Sequence, residues 1–85
     1  MAQDADLQEA LDEIQNLSHD PFIPKNLKAR LQGIIVILRD SSEDRSIRIN
    51  RALDSLSDLA ESSSMPADTR TEVYNIVSML ESMNA

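Results

Sequence analysis

The sequence predicts an all-α protein, a four-helix bundle formed by two helical hairpins. Three observations predict this fold. Apolar residues recur at spacings of three and four in four separate segments, which is the period of an amphipathic helix. Each of the three prolines lies at the edge of one of these segments, and the second half of the chain repeats the spacing of the first. Because the chain has only 85 residues, we assign residues 1–85 to a single domain.

The apolar period predicts helices over residues 5–18, 24–39, 43–60 and 66–83. The second and fourth segments begin at Pro24 and Pro66, because proline is well tolerated in the first turn of a helix. The expected N-terminal capping residues are Asp4 or Asp6 for the first helix and Ser41 or Ser42 for the third. The expected core positions include Leu11, Leu31, Leu53 and Ile76.

The two halves of the chain align without a gap when residues 7–38 are shifted by 42 positions. Seven of the 32 aligned pairs are identical: Ala10/Ala52, Leu11/Leu53, Asp12/Asp54, Leu17/Leu59, Pro24/Pro66, Ile34/Ile76 and Leu38/Leu80. A helical hairpin that repeats at this interval is typical of HEAT and armadillo units. We therefore expect two HEAT-like hairpins, which either close on each other as a compact bundle or stack on another copy.

Two positions carry specific packing expectations. Glycine inside a helix costs about 1 kcal/mol relative to alanine, so Gly33 predicts a close backbone approach to the second helix. Phe22, in the turn before that helix, is expected to anchor the turn to the core.

The end of the second helix is apolar on nearly every side. Val36 and Ile37 add apolar surface beyond the core-facing stripe. A helix of this kind is either central in its protein or covered by another chain. The sequence therefore predicts a homo-oligomer or a complex with another protein.

The charges are unevenly distributed along the chain, which has a net charge of −7. Residues 1–20 hold six acids and no Lys or Arg, residues 21–51 hold seven bases against three acids, and residues 52–85 are again acidic. The net charge argues against general nucleic-acid binding. The basic candidates for binding an acidic partner or an RNA backbone are Lys25, Lys28, Arg45, Arg48 and Arg51. Ion pairs with the acidic helices would be the alternative use of these bases.

No catalytic, cofactor-binding or metal-binding residues are predicted. The chain has no cysteine, one histidine and one glycine, so thiolate zinc sites and phosphate-binding glycine loops are excluded. His19 is expected to be a solvated turn residue, and Glu9, Asp12 and Glu13 an exposed acidic face rather than a cation site. We expect no small-molecule substrate and no membrane span, and the N-terminal residues do not read as a signal peptide, so we expect a cytoplasmic protein.

The helix starts "IPKN" and "MPADTRT", the segment "SIRINRALD" and the closing "NIVSMLE" resemble a small all-helical archaeal family. That family is known only as an uncharacterised protein family of about ninety residues. The matching positions are Pro24, Arg48, Ala52, Leu53, Pro66, Thr69, Arg70, Thr71, Ile76 and Leu80. The resemblance implies a HEAT-like helical bundle and an archaeal source, and it carries no active site.

These observations predict a non-catalytic helical protein that self-associates or docks on another macromolecule. The alternative is an RNA- or ribosome-associated accessory protein that uses a basic strip on the second and third helices. An enzyme with a carboxylate metal site is a third and weaker class.

Overall fold

Four α-helices joined by short turns make up the protein. The computed structural model describes residues 2–83, with side chains described from residue 5 onward. The helices are α1 (Ala2–Ser18), α2 (Lys25–Arg39), α3 (Arg45–Ala60) and α4 (Ala67–Met83). This confirms the all-α prediction, and no strand occurs between residues 2 and 83. None of the four helices is long and apolar enough to cross a membrane.

The helices form a closed ring in which each contacts two neighbours. α1 packs against α2 and α4, and α3 also packs against α2 and α4, whereas the diagonal pairs are not in contact within the described residues. The connections 19–24, 40–44 and 61–66 are too short to cross the bundle, so successive helices run antiparallel. Of the two expected arrangements, the structure therefore shows the compact four-helix bundle.

The predicted apolar stripes face the interior. Leu11, Leu31 and Ile76 are buried, and Leu53 is half-buried against the same core. The residues with no more than 1% of their surface exposed are Ala10, Ile14, Leu27, Leu31, Leu38, Ile49, Ala52, Leu56, Leu59, Ala60, Val73, Ile76 and Leu80. Burial of this apolar surface is the main favourable term in folding, so these residues hold the bundle together.

The α1–α2 and α3–α4 turns have the same backbone hydrogen bonds at an offset of 42 residues. In the first turn, the N–H groups of residues 19, 20, 23 and 28 donate, respectively, to the carbonyl oxygens of residues 16, 17, 20 and 24. In the second turn, the N–H groups of residues 61, 62, 65 and 70 donate, in the same order, to the carbonyl oxygens of residues 58, 59, 62 and 66. A side-chain contact recurs as well. Asp20 Oδ1 accepts from the Phe22 N–H at 2.9 Å, and Ser62 Oγ accepts from the Ser64 N–H at 3.3 Å.

The helix starts differ from prediction by one to three residues. α1 begins at Ala2, so Asp6 lies within the helix and does not cap it; the side chain of Asp4 lies outside the described residues. The residue before α3 is Asp44, whose side chain makes no capping hydrogen bond. The Ser42 cap was therefore a wrong prediction, because Ser42 instead donates from its N–H and hydroxyl to the carboxylate of Asp40.

One packing expectation was also wrong, and a second is not met inside this chain. Phe22 is 82% exposed and does not anchor its turn, since Ile23, the next residue, takes the buried position. At Gly33, a Cβ atom would meet nothing within 4 Å. No close approach inside this chain therefore explains the glycine.

Candidate functional site

The outward side of α2 carries an apolar patch between two opposite charges. We define the α2 face as Lys25, Ala29, Gln32, Gly33, Val36 and Asp40, which recur at spacings of three and four and therefore share one side of the helix. All six residues are exposed. Val36 is 69% exposed, so its side chain adds apolar surface outside the core stripe. Ile37 is half-buried and borders the face.

The equivalent side of α4 provides an internal comparison. Shifting Ala29, Gly33 and Val36 by 42 positions gives Thr71, Asn75 and Ser78, which are also exposed. These three residues on α4 are polar, whereas the residue that matches Gln32 is Tyr74, an aromatic residue with 51% of its surface exposed. Both sets occupy the same place on the second helix of a hairpin. The apolar character of the α2 face is therefore not a requirement of the bundle.

Two of the basic candidates bind backbone carbonyls of the bundle itself. Nη1 of Arg48 donates to the carbonyl oxygen of Leu38 at 2.8 Å, at the end of α2. Nη1 of Arg45 donates to the carbonyl oxygen of Met83 at 3.4 Å, which links the start of α3 to the end of α4. Both arginines are half-buried. These guanidinium groups thus stabilise the top of the bundle, where α2 and α4 end and α3 begins.

Arg51 lies three residues after Arg48 on α3, but the lysines of α2 do not form one continuous strip with the arginines of α3. Lys25 is the first residue of α2 and Arg45 the first of α3, and the two helices are antiparallel. The length of α2, about 22 Å at 1.5 Å per residue, therefore separates the two helix starts. Lys25 and Arg51 are exposed, and Lys28 is half-buried.

Asp40 supplies the negative end of the α2 face. Its carboxylate accepts hydrogen bonds from the Ser42 hydroxyl at 2.6 Å and the Ser42 N–H at 3.0 Å. These hydrogen bonds hold the pKa of Asp40 below its ordinary value of 3.8, and the positive charges of Arg48 and Arg51 act in the same direction. Because its charged form is favoured, Asp40 is ionised at neutral pH.

An open groove of about 290 Å³ lies between the start of α1 and the end of α4. It is lined by Asp6, Glu9, Met79, Ser82 and Met83. Two carboxylates on one wall repel anions, and two thioethers give the other wall an adaptable apolar surface. No group of three or more metal-ligating side chains occurs among the described residues, here or elsewhere.

The acidic residues of α1 and the histidine that we expected to face solvent are exposed. Glu9, Asp12 and Glu13 face outward on α1, and Asp12 Oδ1 accepts a hydrogen bond from Gln8 Nε2 at 2.9 Å. His19 is exposed and its Nδ1 donates to the carbonyl oxygen of Gln15 at 3.1 Å.

Sequence reasoning missed the structural role of Arg70. Its guanidinium donates to the carbonyl oxygens of Ala60 at 2.8 Å, Ser62 at 3.0 Å and Met65 at 3.4 Å. It thereby holds the end of α3 and the whole α3–α4 turn. One feature of the sequence could have indicated this role: Arg70 is the only Lys or Arg in the acidic segment 52–85.

The model of the uncharacterised protein family UPF0147 matches residues 1–83 of this chain. Similar proteins include a UPF0147 protein of Sulfurisphaera tokodaii, 30% identical over 94% of this chain and 90% of its own length, and one of Methanosarcina mazei, 26% identical over 91% and 83%. A crystal structure of the unknown-function protein MMP1188 superposes with a TM-score of 0.85 at 28% identity, covering 89% of this chain and 86% of that one. These matches confirm the resemblance to a small helical family with archaeal members. The chain belongs to the UPF0147 family.

Proposed function

We propose that this protein acts by binding a macromolecule through the α2 face, without a catalytic step. One observation carries the proposal: Val36, beside Ala29 and Gly33, presents 69% of its surface to solvent on a helix whose core-facing stripe is already satisfied. Single exposed apolar residues are ordinary. Here the exposed apolar and small residues are adjacent on one side of a helix, and the α4 residues that match Ala29, Gly33 and Val36 are polar.

Gly33 supports the same conclusion independently of exposure. It costs the helix about 1 kcal/mol relative to alanine, and no neighbour inside this chain takes up the space above it. A glycine on an exposed helix face lets the backbone of another helix approach closely. The α2 face is therefore suited to close helix–helix contact with a separate molecule.

The hairpin is the structural unit of this binding protein, and we infer that the two hairpins are a HEAT-like duplication. Support comes from the 42-residue period of the sequence. On this basis the second hairpin serves as scaffold and the first presents the docking surface. We place this role in the cytoplasm, because a chain without cysteine suits a reducing compartment.

The test compares two lysine substitutions at matched positions. Val36→Lys puts a charge in the centre of the α2 face, whereas Ser78→Lys puts the same charge at the equivalent position of α4. Both sites are exposed, so neither substitution should change the free energy of unfolding by more than about 0.5 kcal/mol. Wild type and both variants are immobilised and exposed in turn to the free wild-type protein and to native extract.

The proposal expects the wild-type and Ser78→Lys proteins to retain the same binding partner, which is either the free wild-type chain or another macromolecule. Val36→Lys should lose it by tenfold or more, because burying an unpaired ammonium group opposes association. Equal retention by all three proteins would remove the α2 face from the function.

The alternative is an RNA- or ribosome-associated role that uses the exposed bases. Lys25 and Arg51 are the exposed members of the basic set, and Arg48 is bound to Leu38. Phosphate contacts would make RNA retention fall steeply with salt. Lys25→Glu with Arg51→Glu should abolish that retention, and unchanged RNA binding by the double variant would discard this role.

A further inference from the structure

We propose that the partner of the α2 face is the α2 face of a second copy of this chain, with the two helices antiparallel about a two-fold axis between Gln32 and Gly33. The inference rests on the proposed docking function and names its partner. Such an interface is self-complementary, as two-fold symmetry requires, since the same patch contributes both sides.

The order of charges along the face selects the antiparallel arrangement. Lys25 lies at one end and Asp40 at the other, with uncharged residues between them. In an antiparallel pair, each Lys25 lies opposite Asp40 of the partner subunit, which gives two opposite-charge contacts. A parallel pair would instead place lysine against lysine and aspartate against aspartate, and like charges destabilise such contacts.

The shape of the face fits the same register. An axis between residues 32 and 33 places Ala29 opposite Val36 of the partner subunit, a small residue against a larger one. Gly33 lies beside the axis, where two helices approach most closely. The distance between two packed helix axes is about 8–10 Å and depends on the side chains at the crossing. A residue without Cβ permits the lower end of this range.

The size of the face sets the expected affinity. One helix face about 22 Å long buries less than the roughly 1,200 Å² found in standard stable interfaces. We therefore expect a reversible dimer in the micromolar range or weaker rather than an obligate one. The experiment must accordingly work at protein concentrations where a weak dimer is populated.

Disulfide trapping tests the register directly, because the native chain has no cysteine. In the proposed dimer the two copies of residue 33 are offset by about 1.5 Å along the helix axis, and the two copies of residue 36 by about 10 Å. Disulfide formation requires Cα atoms about 4.4–6.8 Å apart. Gly33→Cys should therefore oxidise to a dimer, Val36→Cys alone should not, and a mixture of Ala29→Cys and Val36→Cys should form the mixed dimer.

Ser78→Cys is the matched control, since it places an exposed thiol on the outer side of α4 and reports random collision. The expected result is that Gly33→Cys forms dimers at least tenfold faster than Ser78→Cys. Equal rates for these two variants would overturn the inference. Faster trapping of Val36→Cys than of Gly33→Cys would also overturn it, because that result would place the two copies of residue 36, and not those of residue 33, opposite each other.

A charge substitution provides a second readout. Lys25→Glu should raise the dissociation constant measured by sedimentation equilibrium about tenfold, since two symmetric contacts change from attraction to repulsion. Arg30→Glu makes the same charge change about 140° around α2 and should have a smaller effect. If trapping and sedimentation both show a monomer while Val36→Lys still loses another macromolecule, the second-copy inference fails and the docking function stands.

Discussion

Arg48 and Arg70 occupy equivalent positions at two junctions of the bundle. Each is the fourth residue of its helix, and each donates a 2.8 Å hydrogen bond to the carbonyl oxygen ten residues earlier, Leu38 for Arg48 and Ala60 for Arg70. These carbonyls lie in the last turns of α2 and α3, where helical carbonyls lack partners and carry partial negative charge. Each guanidinium therefore fastens the end of one helix to the start of the next.

Replacing these arginines should destabilise the bundle in proportion to the hydrogen bonds lost. Arg70→Met removes donors to three carbonyls and should lower the free energy of unfolding by about 2–3 kcal/mol. Arg48→Met removes the bond to Leu38 and should cost about 1–2 kcal/mol. Urea denaturation measures both. Arg30→Met, at an exposed site, should stay within about 0.5 kcal/mol of wild type; equal losses for all three would contradict this account.

Lys28 offers a gain of stability at the first junction, between α1 and α2. It is the fourth residue of α2 and half-buried, and it aligns with Arg70 at the 42-residue offset. The turn it faces has the same backbone hydrogen bonds as the turn held by Arg70. Lys28→Arg should therefore place a planar guanidinium against equivalent carbonyls and raise the free energy of unfolding by about 0.5–1 kcal/mol.

The control for this gain is Lys25→Arg, which makes the same exchange at an exposed helix start. Thermal melting of the two variants gives the comparison. A melting temperature for Lys28→Arg no higher than that of Lys25→Arg would show that the first junction does not accept the bond.

Acid should weaken the α2–α3 turn through Asp40. The pKa of Asp40 is lowered in the folded protein, chiefly by the hydrogen bond from the Ser42 hydroxyl. A lowered folded-state pKa contributes stability that is present above the unfolded value and is lost as pH falls through the folded value. Wild type should thus exceed Asp40→Asn in stability at neutral pH, and this advantage should disappear well below pH 3.8. Urea denaturation of wild type and Asp40→Asn, at neutral pH and at a pH well below 3.8, measures this difference in stability.

An NMR titration isolates the cause. Ser42→Ala removes the hydroxyl donor and should move the pKa of Asp40 upward, toward its ordinary value. An unchanged titration curve would mean that the hydroxyl does not contribute, and that the N–H of residue 42 and the nearby arginines lower the pKa without it.

Gly33→Ala should stabilise the isolated chain. Alanine is a better helix former by about 1 kcal/mol, and its Cβ meets no atom within 4 Å. Urea denaturation at low protein concentration, where the monomer dominates, should show this gain. A loss of stability would instead reveal a close contact at Gly33 within the chain.

The sequence predicted the helices because their apolar period is strong and their boundaries are marked by proline. Leu31 and Ile76 lie on the core face that the period predicts. The start of α1 was misplaced because Asp6 suits both a cap and the first turns of a longer helix. Phe22 and Ile23 are adjacent apolar residues, and only Ile23 enters the core. A sequence pattern does not settle which of two adjacent apolar residues is buried, so the exposure of Phe22 was not predicted.

The candidate surface was only partly predictable. Exposure of Val36 follows from its position opposite the core stripe, so periodicity predicted it. The binding of Arg48 to Leu38 did not follow, because it depends on how two helix ends meet across a turn. A basic residue reads the same in sequence whether its charge faces solvent or a backbone carbonyl. The lysines near the start of α2 therefore lie apart from the arginines of α3, which two of these carbonyl contacts hold at the other end of the bundle.

The contact between α4 and α1 limits how this architecture can grow. A solenoid lengthens by adding units to an open terminal surface. In residues 2–83, α4 packs against α1 and closes the ring, so the side of α1 that faces α4 is not open to a further hairpin. An extra hairpin could therefore join this ring only by displacing one of the four helices.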